Sequence, residues 1–97
     1  MKFHKGTFLV QCIDTLDHGT EERTGWIDET NTYGFSKNQK DRWSATDMES
    51  GTLICTFDTR KACAEWIEKN ADKIAERRTT DEYVAMVEKF KMKKGES

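Results

Sequence analysis

The spacing of hydrophobic positions changes once along the chain, near Asp58. Before it, apolar residues come in short runs or alternate with polar ones, the period of a strand. After it they recur every three to four residues, the period of a helix. Alternation is sharpest in DRWSATD (41–47) and TLICTF (52–57). Trp43 and Ala45 share one face of the first, and Leu53, Cys55 and Phe57 share one face of the second. MESG (48–51) between them ends in the glycine that a short hairpin loop wants in the left-handed region. The pattern predicts a β-hairpin. GTFLVQCID (6–14) is apolar on both faces, with Phe8, Val10 and Cys12 opposed to Leu9 and Ile13, which predicts a strand inside the sheet rather than at its edge. TLDHGTEER (15–23) reads as a loop and TGWIDE (24–29) as another strand. NTYGFSKNQK (31–40) stays open between a strand through Tyr33 and Phe35 and a bend at Gly34 and Asn38.

Beyond Asp58 or Thr59, either of which suits an N-cap, Ala62, Trp66, Ile67, Asn70 and Ile74 lie toward one side of a helix expected to reach Glu76 or Arg77. TTDE (79–82) matches a capping box with Thr79 as N-cap, and Tyr83, Val87 and Phe90 form the stripe of a second helix. The expected architecture is α+β: an antiparallel sheet of three to four strands with a central β-hairpin, packed on two C-terminal α-helices. It is expected to form a single domain over residues 1–94, with a frayed tail at 95–97.

Charge refines this picture. The net charge of −2 hides an asymmetry: residues 1–58 hold six Lys/Arg against ten Asp/Glu, and residues 59–97 hold ten against eight. The acids cluster as Asp14, Asp17, Glu21, Glu22, Asp28 and Glu29, opposed in that segment by Arg23 alone. Cations stand at Arg60 and Lys61, where a helix starts, and at Arg77, Arg78, Lys91, Lys93 and Lys94. The chain as a whole is too acidic to be assigned to nucleic acid on charge alone. The three cysteines are odd in number and lack CxxC spacing. The start MKFHKGTFLV lacks the apolar core of a signal peptide, and no apolar run approaches the roughly 18 residues of a membrane span. A cytoplasmic protein with reduced thiols and no membrane partner is the expectation.

Candidate chemistry is sparse. FDTRKACAEWI (57–67) sets Cys63 near two cations, but with Asp58 as N-cap it falls at the fifth helical position, beyond the strongest dipole field, and a buried small hydrophobe is the expected role. Arg60 and Lys61 occupy the end of a helix that disfavours cations, which suggests an anion-contacting helix start or simply solvated residues. Cys12, His18, Cys55 and Cys63 lack metal-ligand spacing, and the acidic segment does not match a calcium loop. No catalytic residue, metal or cofactor is expected. Tyr33 and Phe35, flanked by small polar residues, are candidates for an exposed recognition patch beside the acids.

The run W-S-A-T-D-x-x-S-G-T-L-I-C-T-F-x-T-R-K-A-x-x-E-W-I (43–67) resembles the hairpin-plus-helix of short accessory proteins of phages and mobile genetic elements, over about a quarter of the chain. The resemblance implies action by binding. The expected function is a non-enzymatic interaction module for a macromolecular partner, chiefly a protein, contacted through Asp14, Asp17, Glu21, Glu22, Asp28, Glu29, Tyr33 and Phe35. One form of it is an inhibitor of a host nucleic-acid-handling or defence enzyme. The alternative is a nucleic-acid-binding accessory or regulatory protein using Arg60, Lys61, Arg77, Arg78, Lys91, Lys93 and Lys94.

Overall fold

A computed structural model describes residues 2–11 and 19–93. Five strands form one antiparallel sheet in the order in which they occur: β1 (Phe3–Gln11), β2 (Thr20–Asp28), β3 (Tyr33–Lys37), β4 (Trp43–Asp47) and β5 (Thr52–Phe57). Three helices follow: α1 (Arg60–Lys69), α2 (Ala71–Arg77) and α3 (Asp81–Lys93). The fold class is α+β, with one strand and one helix more than the sequence pattern predicts. The open segment 31–40 resolves into β3, and part of the predicted loop, from Thr20 onward, is already strand. Among the described residues no helix is long and apolar enough to cross a membrane.

The β4–β5 hairpin forms as predicted, with Gly51 at φ +69°. Its register holds a surprise. Ala45 faces Cys55 but Thr46 faces Leu53, so Ile54 is the extra residue of a β-bulge. The bulge breaks the alternation of TLICTF. Cys55 and Phe57 point at the helices, whereas Leu53 turns to the opposite face and is 58% exposed.

One face of the sheet carries the core. Phe35, Ala45, Cys63 and Ile67 are its buried centre, and Phe3, Trp26, Trp43, Phe57, Trp66 and Ile74 pack around them. Thr59 caps α1, its hydroxyl accepting from the Ala62 N–H at 3.0 Å. The predicted long helix breaks at Asn70. The Asn70 side-chain amide donates to the Trp66 carbonyl at 2.8 Å, and the residue sits at φ −109°, ψ 22°. A short polar side chain that competes for helical carbonyls ends α1 and lets α2 start on a new axis. The cap of α3 is shifted by one residue: the Thr80 hydroxyl, not that of Thr79, accepts from the N3 amide, that of Tyr83.

β1 is an outer strand, contrary to its two-sided apolar pattern. The sheet bends so that Phe8 lies against Gly34 of β3, where a Cβ would stand 2.7 Å from the ring. Curvature thus covers the second apolar face of β1. The bend also brings the Gln11 N–H to the Gly51 carbonyl at 2.7 Å, joining the end of β1 to the β4–β5 turn. α3 seals this end of the sheet instead of lying on its face: Phe90 packs on Gly51, and Gln11 donates to the Ser50 carbonyl and accepts from Lys93.

Candidate functional site

The acidic–aromatic surface expected from the sequence does not assemble as one patch. Asp14 and Asp17 lie outside the described residues. Glu21, Glu22 and Glu29 are exposed, with Glu21 paired to Arg23. Asp28 is buried instead. Its Oδ1 accepts from the N–H groups of Thr32 (2.7 Å) and Tyr33 (2.8 Å), and its Oδ2 from the Thr30 N–H and hydroxyl. Burial works to raise its pKa, but these hydrogen bonds outweigh burial and hold the carboxyl below its ordinary value. Asp28 therefore builds the β2–β3 turn. Phe35 is wholly buried and meets the Phe3 ring edge-on at 5.1 Å, because β3 is the central strand and its inward positions lie beneath α1. Tyr33 is half-buried against the same core, and burial pushes its hydroxyl pKa up.

The cations fall into separate groups. Arg60 projects from the first turn of α1 onto the core-facing side of the sheet. Its guanidinium lies 4.4 Å from the Trp26 ring centre, 4.7 Å from Phe3 and 5.9 Å from Trp43. Three aromatic faces account for a cation where the helix dipole alone would disfavour one. Two further cations complete the assembly: Lys5 is 5.6 Å from Trp26, and Lys37 is 5.9 Å from Trp43. Each is the direct cross-strand partner of its tryptophan. Lys61 is exposed and lines an open depression with Phe3, Trp43, Arg60, Glu65 and Glu68. Sequence reading finds Arg60 and Lys61 but misses Lys5, Lys37 and the two tryptophans. The signal for them is the strand register, which the pattern alone does not supply.

Arg78 is committed to the fold. It donates to Asp47 (3.2 Å), Glu49 (3.1 Å) and the Tyr83 hydroxyl (3.2 Å), and Tyr83 donates in turn to Asp47 at 2.8 Å. Burial works against the Arg78 charge, but Asp47 more than offsets it and leaves the guanidinium pKa above its ordinary value. Burial, followed by the hydrogen bond to Asp47, raises the pKa of the Tyr83 hydroxyl. Lys93 is held by Gln11, Lys91 and Arg77 are exposed, and Lys94 lies outside the described residues. Arg60 and Arg77 stand at opposite ends of the α1–α2 run, so the predicted cations do not form one surface.

Neither described thiol is activated. Cys63 is fully buried and its S–H donates to the Trp43 carbonyl at 3.4 Å. Burial pushes its pKa up, and pushes that of Cys55 up to about 12. Both remain protonated at neutral pH and fill space between β5 and α1. Among the described residues no three His, Cys, Asp or Glu side chains gather as a metal site. No protein-family model, curated protein or solved structure matches the chain.

Proposed function

We propose that the protein is a small non-enzymatic interaction module that engages nucleic acid through the cation–aromatic face around Arg60. The supporting observation is that assembly itself: Lys5, Lys37 and Arg60 are held over half-buried Trp26 and Trp43, with exposed Lys61 beside them. Cations placed on rings keep their outward N–H groups for phosphate. The groups that suggest chemistry elsewhere (Asp28, Asp47, Arg78, Tyr83, Cys63) are all engaged in holding the fold, which favours binding over catalysis. Such a role fits an accessory protein of a phage or mobile element.

Fluorescence anisotropy with single- and double-stranded oligonucleotides tests this. Four phosphate contacts on a single strand give a log–log salt slope of about −3, a loss of roughly 50-fold between about 50 mM and 200 mM salt. Lys61→Glu weakens binding further and flattens the slope. Absence of binding at the lowest salt would sink the proposal. The exposure of Glu21, Glu22 and Glu29 favours a second reading, a protein partner met by the acidic residues of β2 and of the turn that follows it, such as a nucleic-acid-handling enzyme inhibited through its basic channel. In that case reversal of these three to Lys abolishes partner binding and Lys61→Glu leaves it intact.

A further inference from the structure

A cavity of about 130 Å³ opens between β4–β5, α1, α2 and the start of α3, and none of its lining residues belongs to the Arg60 assembly. Its walls are apolar: Ile54, Trp66 and Ile74. Its floor is polar but satisfied, since Asp47 accepts from Tyr83, Arg78 and the Glu49 N–H. Its rim carries Lys73 and Arg77, both exposed and four residues apart on α2. No described residue forms an ion pair with either. Like charges at this spacing repel. Arg78 is shared between Asp47 and Glu49, a trio of net charge −1, so the two rim cations leave the site net positive.

Size and charge together define the occupant. The volume is close to that at which an apolar protein cavity admits a benzene-sized molecule, about 150 Å³. A single ring or branched aliphatic group fills the walls, and an anion attached to it by a short link meets Lys73 and Arg77. We infer that the cavity is a binding site for hydrophobic carboxylates, whether a free aromatic acid or the C-terminal residue of a peptide. Asp47 repels such a group little, because its oxygens are engaged by Arg78, the Tyr83 hydroxyl and the Glu49 N–H, and the two rim cations exceed the trio's single negative charge. The bulge at Ile54 is what turns that side chain into the wall, and the break at Asn70 is what swings α2, with its two cations, over the opening.

The test is titration of the full chain with phenylacetate, followed by ¹H–¹⁵N correlation spectra. The Trp66 indole N–H signal is assigned by Trp66→Phe. The expected result is a saturable shift of that signal and of the Ile74 and Arg77 amides. The neutral phenylacetamide should bind roughly three- to tenfold more weakly. In the double variant K73E/R77E, whose positions are exposed, the acid falls to the affinity of the amide or below while the amide is unaffected. N-acetyl tetrapeptides ending in phenylalanine, with a free or an amidated terminus, separate the two sources. Tighter binding of the free-terminus peptide than of phenylacetate points to a chain terminus, and the reverse to a small acid. Equal affinity for phenylacetate and phenylacetamide, or no saturable shift at Trp66, would overturn the inference.

Discussion

Asp28 accepts hydrogen bonds from three backbone amides and a hydroxyl while almost wholly buried, so its ionisation is tied to folding. Its folded pKa is depressed. The stability it contributes is therefore fully present above the unfolded carboxyl value and is lost as pH falls through the folded one, below about pH 4. Asp28→Asn is expected to cost about 1–3 kcal/mol at neutral pH and to flatten the acid limb of a urea-unfolding series. A parallel acid loss in both proteins would show that other carboxylates set that limb. The thiols run the other way. Burial raises both, so their contribution holds below the unfolded thiol value of about 8.5 and fades as pH rises toward 12 for Cys55. In a Cys12→Ser background, Ellman's reagent should react with neither described thiol until the chain unfolds. Rapid labelling of the native protein would contradict the burial of Cys63 and the raised pKa of the half-buried Cys55.

Elements that depend on local pattern are legible in the sequence: the β4–β5 hairpin, the start of α1 to within the pair Asp58 and Thr59, and the stripe of α3. Those that depend on neighbours are not. The Ile54 bulge adds one residue to an otherwise regular alternation and reverses Leu53, an event no period reports. The break at Asn70 hides inside a helical spacing, because a single asparagine is tolerated in many helices. β1 looks like an inner strand since both its faces are apolar, and only the bend that lays Phe8 on Gly34 explains why an outer strand can be so. Gly34→Ala is therefore expected to cost about 1–3 kcal/mol by forcing the ring away, measured by urea unfolding. A change near zero would mean that the β1–β2 hairpin moves freely over β3.

Across the whole molecule, the candidate site follows the same division. Arg60 and Lys61 stand out in the sequence as cations at the wrong end of a helix. Lys5, Lys37, Trp26 and Trp43 join them only through cross-strand register, spanning four strands and a helix. Phe35 drops from the surface because β3 is central, a fact of strand order. The Tyr83–Asp47–Arg78 triangle ties α3 and the end of α2 to β4 across 36 and 31 residues of chain. Tyr83→Phe should destabilise the protein by about 1–3 kcal/mol, since it leaves a buried carboxylate one donor short. Protection from hydrogen exchange should then fall first in α3. Uniform loss of protection would instead mean that α3 and the sheet open together.

The single backbone bond from Gln11 to Gly51 has a kinetic meaning. Each strand pairs with the strand before it in the chain, so the ladder can zip from hairpin to hairpin with only short loops to close. The Gln11–Gly51 bond joins positions far apart in sequence and gains nothing until the bend at Gly34 exists. It is thus expected to form late in refolding and to open early. In native-state exchange the Gln11 amide should report a sub-global opening well below the free energy of full unfolding, with the β4–β5 hairpin amides marking the upper limit.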